Sequence, residues 1–258
     1  MFQEVSIRDL SNFLLDYAVS LMGAGVHTSR VGRNAARIAE TYGYRVDMTI
    51  FQKTITMTVI RDNDDTVRRT SVRKIETMAI NFKIISKLSA LSWEVYDHRL
   101  PFEELHCRYG QIMAEPRYSR WAVLILVACA NAAFCRLFGG DAIAMGLVFA
   151  ATAVAFWLRQ ELMKRHANHM AVFIVCAFTA SLIAASGVRY HWGETPQIAL
   201  GTSVLFLIPG VPLINSIIDV LEGHVLVGFS RGVNACILII CIALGLSATL
   251  LMLGINAL

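Results

Sequence analysis

The stretch Ile208-Pro209-Gly210-Val211-Pro212-Leu213-Ile214-Asn215-Ser216-Ile217-Ile218-Asp219 decides how this chain is built. It sits in an apolar run over residues 198–218, and about 20 largely apolar residues are enough to cross a bilayer. Two prolines around a glycine interrupt that run near its middle, and an amide and a carboxylate follow four residues apart. Proline has no N–H, and its ring clashes with the carbonyl one turn earlier, so a helix must bend or break there. In hydrocarbon a freed carbonyl is tolerated only where protein or a water-filled cavity satisfies it. A broken membrane helix with polar groups beside the break is therefore a candidate for a place where something is bound and moved.

Working outward, four more runs have spanning length: residues 121–138, 142–158, 170–188 and 233–253. They are rich in Ala, Gly and Ser, which lets helices approach closely. Charge divides the chain near Trp121. Residues 1–120 hold 17 of the 23 Lys+Arg and 14 of the 19 Asp+Glu. The expected fold is an α-helical membrane protein with five transmembrane helices (residues 116–258), preceded by a small cytoplasmic α+β domain (residues 1–115). Orientation follows from the basic residues. Arg117 and Arg120 precede the first span, Arg159, Lys164 and Arg165 fill the second loop, and Arg231 lies in the fourth. These share the side of the N-terminal domain, which places that domain in the cytoplasm and the C-terminus outside.

The N-terminal residues carry soluble periodicities. Leu10, Phe13, Leu14, Tyr17, Ala18 and Leu21 make one helical face, ended by Gly23-Ala24-Gly25. Thr28 or Ser29 caps a second helix with Val31, Ala35, Ile38, Ala39 and Tyr42 inside. Val46, Met48 and Ile50 alternate on even positions and Ile55, Met57 and Val59 on odd ones, so a bulge or two separate strands are expected. Asp62 to Asp65 forms a turn, and Thr66 to Val72 returns as a strand. A long helix follows with Ile75, Met78, Phe82, Ile85 and Leu88 inside, then a last helix opened by Pro101. The cluster Arg61, Arg68, Arg69, Arg73 and Lys74 reads as a charged, solvated sheet edge.

The same reading excludes several classes. There is no P-loop, no nucleophile elbow and no pair of catalytic carboxylates, so no catalytic residue is assigned and the chain is not read as an enzyme. No cofactor and no metal are expected, His166 and His169 being a lone pair in a basic loop. A net charge of +4 points to no nucleic-acid partner. The N-terminus is not expected to be a signal peptide. Five of the six cysteines fall in apolar runs and read as buried, reduced thiols.

The run from Leu205 to Asp219, with Glu222-Gly223-His224 after it, resembles the signature of the threonine/serine exporter (ThrE) family. Glu115 to Trp121 resembles the family's approach to its first span, and Gly23-Ala24-Gly25 through Arg33 its first helix pair. The similarity covers nearly the whole chain and is closest to the longer, YjjP-like subunit of the two-protein type. It implies a bacterial inner-membrane exporter of small metabolites. Threonine and serine go with fused members, succinate with the two-protein pair. Fused members carry a second membrane half, and this chain reaches Leu258 without one. The resemblance thus implies a separate small membrane partner supplying that half, with self-association also open.

Within that frame the break region takes named roles. Pro209 and Pro212 are either a packing kink or a functional break, and Gly210 lets backbone or substrate come close. Asn215 offers hydrogen bonds to a carboxylate or an ammonium, or else to a neighbouring helix. These four are the substrate-binding candidates. At 1.5 Å per residue Pro209 lies roughly 16 Å deep, near the midplane of a ~30 Å core. Asp219 is a proton-coupling group or gate, or an interfacial acid. Arg136 is an anion attractor near the exit, or snorkels to the outer interface. The leading reading is an efflux permease subunit for a small carboxylate or hydroxy amino acid, embedded in lipid. The alternative is a membrane-anchored regulatory or sensory protein whose soluble domain binds a ligand.

Overall fold

The chain divides into two compact units, Met1–Pro116 with Val211–Val233, and Arg117–Gly210 with Asn234–Leu258. The structure is a computed structural model and describes residues 5–76, 80–116 and 118–254. Met78, expected inside a helix, and Arg117, used for orientation, lie outside the described residues.

The first unit begins with α1 (Ile7–Gly23) and α2 (Thr28–Thr41). Every apolar position expected on their inner faces is buried. Gly25 turns the chain between them with φ +99°, a left-handed value that glycine adopts without strain. Three antiparallel strands follow: β1 (Tyr44–Ile50), β2 (Thr54–Arg61) and β3 (Asp64–Lys74), in the order β1-β2-β3. The change of parity between Ile50 and Ile55 is a turn between two strands, with Ile50 facing Ile55 across it. Ile55, Met57 and Val59 are fully buried, with β2 packed on α1 and β1 on α2. Two long helices complete the first stretch, α3 (Phe82–His98) and α4 (Phe102–Ala114).

The start of α3 differs from expectation. β3 runs on to Lys74, and Asn81 caps the helix by accepting from the Ile84 N–H at 3.2 Å. Ile75 is therefore outside the helix and Phe82, its first residue, is 65% exposed. Ile85 and Leu88 are buried as expected.

The unit is completed by α9 (Gly210–Leu221) and the first part of α10 (Val225–Leu253), joined by a tight turn. His224 N–H bonds back to the Asp219 carbonyl and Gly223 takes φ +88°, the glycine-closed end of a helix. The two helices then cross with almost no side chain between them. A Cβ on Gly228 would stand 2.7 Å from the Ser216 carbonyl oxygen and 2.9 Å from the Val220 nitrogen. Gly232, one turn on, faces Ser216 Oγ. This is the small-xxx-small spacing that brings helix backbones together.

The second unit is helical: α5 (Arg120–Leu137), α6 (Ala142–Lys164), α7 (His169–Tyr190), the short α8 (Pro196–Thr202), a 3-10 turn at Leu205–Leu207, and the rest of α10. Half of the apolar window of α7 is buried, against 28% for α5 and α6, so α7 is the centre of this bundle. Ala177, Ala180, Ala184 and Ala185 give it a thin waist. Gly245 of α10 meets the Ile174 carbonyl and the Phe178 nitrogen there, and Ser181 Oγ bonds Thr249 Oγ1 at 2.6 Å.

Four helices, α5, α6, α7 and α10, are long and apolar enough to cross a membrane, or five spans result if the bent pair 196–207 and 210–221 counts as one. Two loops are shorter than expected. The α6 helix continues to Lys164, so Arg159 is helical and stacks near Phe173. The α10 helix begins at Val225, so Arg231 is helical as well. All six cysteines are free thiols, but Cys129 and Cys236 lie exposed on helix faces rather than buried.

Candidate functional site

The break predicted from Pro209 is present. The α8 helix stops at Thr202, the 3-10 turn ends at Leu207, and Ile208 is extended (φ −58°, ψ 125°) ahead of buried Pro209. A helix that stops leaves carbonyls without in-helix partners. Inside an apolar bundle these need a donor, and Asn131 of α5 supplies one. Its side chain, 3% exposed, donates to the Thr202 carbonyl at 3.3 Å, the Ser203 carbonyl at 3.5 Å and Thr152 Oγ1 at 2.7 Å. Beside it opens an apolar pocket of about 330 Å³ walled by Val127, Phe134, Leu205, Phe206 and Ile208.

The second polar cluster is in the other unit and is built on α9. Asn215 and Asp219 are one helical turn apart, so they share a face. Asn215 Nδ2 donates to the Gly25 carbonyl at 2.7 Å. Asp219, fully buried, accepts from the Thr28 N–H at 2.7 Å through Oδ1, while Oδ2 stands 2.9 Å from Arg231 Nη1. That last contact has ion-pair distance without hydrogen-bond alignment. Arg231 also donates from Nη2 to the Val26 carbonyl at 3.1 Å. Thr28 is the first residue of α2, so a buried carboxylate sits at the positive end of that helix. Neither Thr28 nor Ser29 acts as the cap: His27 holds that position with no side-chain cap bond, because Asp219 supplies the acceptor instead.

Glu222, at the end of α9, extends the cluster toward solvent. It accepts from Ser29 Oγ, pairs with Arg33 at 3.2 Å and lies 3.2 Å from His27 Nδ1. Burial of the His27 ring holds its pKa below the ordinary value, with the Glu222 carboxylate pulling the other way and the Arg33 charge adding to the drop.

The candidate residues thus separate. Pro209 and Gly210 belong to the helical unit, at the break. Pro212, Asn215 and Asp219 belong to the first unit, with α9. Arg136 is exposed in the last turn of α5 and donates to the Gly140 carbonyl at 3.2 Å, where a cation also complements the helix end. Sequence reasoning did not single out Asn131, took Thr28 only as a helix cap and used Arg231 only for orientation. Asn131 did carry a signal, an amide in the middle of an apolar span. Arg231 carried one as well, a cation three turns after Asp219 across a glycine turn. Thr28 marked the start of α2, but its bond to Asp219 is made by a backbone N–H that no residue type signals.

Apolar helices of spanning length, glycine-to-backbone crossings and a broken helix mark a membrane protein, and a broken helix is the element around which transporters build binding sites. The family model described as "Putative threonine/serine exporter" (ThrE) matches residues 12–253, and the chain belongs to that family. It is 29% identical over 251 residues to the "Probable succinate transporter subunit YjjP" of Klebsiella aerogenes, covering 96% of each chain. It is 28% identical over 251 residues to the protein of the same description from Escherichia coli K12, again over 96% of each. No solved structure matches the chain.

Proposed function

We propose that this chain is one subunit of an exporter in a bacterial inner membrane. It moves a small carboxylate, a dicarboxylate such as succinate or the hydroxy amino acids threonine and serine, and works with a separate small membrane subunit that supplies the second half. The domain of residues 1–115 faces the cytoplasm and the C-terminus the periplasm. Substrate passes the break at Pro209, Gly210, Pro212 and Asn215. Asp219 gates the passage or takes a coupling proton, and Arg136 draws the anion toward the exit.

The observation that carries this reading is the break itself: a helix pair apolar enough for one span stops at Ile208–Pro209, with polar groups following. The word "subunit" in the relatives' descriptions supports a partner, and their named cargo supports a dicarboxylate. The experiment is efflux from cells expressing the chain with its partner. Pro209→Ala, Asn215→Ala and Asp219→Asn should each insert normally and export more slowly than the parent. Parental export rates in all three would show that the site lies elsewhere.

A further inference from the structure

Asp219 sits where an incoming carboxylate would sit. Its two oxygens are divided between two donors of different kinds, the Thr28 N–H at the start of α2 and the guanidinium of Arg231. A carboxylate held by a helix N-terminus and an arginine is the arrangement by which proteins recognise carboxylate ligands. The fit is also incomplete. Asp219 Oδ2, Arg231 Nη1 and the hydroxyl of Thr28 are buried and have no hydrogen-bond partner among the described residues, although Asp219 is 0% and Thr28 2% exposed. A side chain tethered to α9 reaches one donor well and the other poorly. A free carboxylate, able to turn, would align with both and take the Thr28 hydroxyl as a third donor.

We infer that the Thr28 N–H and hydroxyl with Arg231 form a carboxylate-binding subsite, filled in this state by the chain's own Asp219. A carboxylate of the exported metabolite takes that place when Asp219 leaves. The inference rests on the export reading and gives it a chemical basis: the subsite reads one carboxylate, which succinate, threonine and serine all carry. Asn215, held on the Gly25 carbonyl one turn away, fixes α9 in the filled state. Arg231 is anchored independently by the Val26 carbonyl, so it stays in place when Asp219 departs.

The test uses the purified full chain in detergent. Asp219→Ala removes a carboxylate of formate size and leaves its donors behind. Millimolar formate and succinate should each raise the thermal midpoint of Asp219→Ala in a saturable way, and chloride should not. The parent, already filled, should respond much less. The double variant Asp219→Ala/Arg231→Gln should lose the response, and Asp219→Ala/Arg231→Lys should keep part of it. If Asp219→Ala does not survive purification, it is prepared throughout in formate, and folded protein recovered in formate but not in chloride counts in favour. No saturable rise, equal recovery in both salts, or an equal rise in the parent overturns the subsite. A rise with formate alone overturns the assignment to the metabolite. Efflux is read separately. Export by the parent pair without a formate response defeats only this inference, and a formate response without export defeats only the export reading.

Discussion

The two units solve one problem with different chemistry. Each must satisfy polar groups where helices end or break. In its interior the helical unit uses neutral groups, Asn131 on the end of α8 and Ser181 against Thr249, and its charged groups Arg136 and Asp141 serve the ends of α5 and α6. The first unit uses charges: Asp219 on Thr28 and Arg231, with Glu222 on Arg33. A neutral hydrogen bond between membrane helices contributes about 0.6–2 kcal/mol, and the pairing removes most of the cost of burying its two groups. A buried charge is costly unless paired, and losing its partner costs far more than the pair itself contributes. The contrast predicts that losing one partner costs less in the interior of the helical unit than at the buried ion pair of the first.

That contrast can be broken at five places. The largest effect should come from Asp219→Ala, which strands Arg231 and should cost about 3–5 kcal/mol in denaturant unfolding. Adding Arg231→Met should recover most of it, and additive losses would mean the two charges are not coupled. Next comes Gly228→Leu, which drives a side chain into the Ser216 carbonyl and should cost about 1–3 kcal/mol by overpacking. Gly245→Leu makes the same intrusion on α7 and serves as its counterpart in the neutral unit. Asn131→Ala should cost only about 1 kcal/mol. A loss as large as that of Asp219→Ala would erase the distinction between the units.

The smallest effect is a pH slope. His27 has its pKa lowered on folding from the ordinary 6.5, so below that pH the unfolded chain takes up the proton first. Stability should be fully present above pH 6.5 and decline as pH falls toward the folded value. His27→Gln should flatten that decline, which thermal unfolding across this range would register.

Local chemistry was the legible part. The faces of α1 and α2, the break at Pro209 and the two strands joined after Ile50 all follow from neighbours a few positions apart. The start of α3 was misplaced because Ile75, Met78 and Phe82 keep a helical period, while β3 claims residues up to Lys74 by pairing with β2. At the candidate site the sequence showed Asn215 and Asp219 but not what they touch. Gly25 and Thr28 contribute only backbone atoms, which no residue type announces. Arg231 was placed in a loop because apolar content alone started the last span at Val233, while the helix begins two turns earlier at Val225.

The pairing of Asp219 with Thr28 joins positions 191 residues apart. During synthesis the first helices leave the ribosome long before Asp219 is made, so α2 begins life with a bare, positively polarised tip. The first turn of α2 therefore gains its acceptor only when the late-made α9 hairpin docks, so the two ends of this unit complete one another.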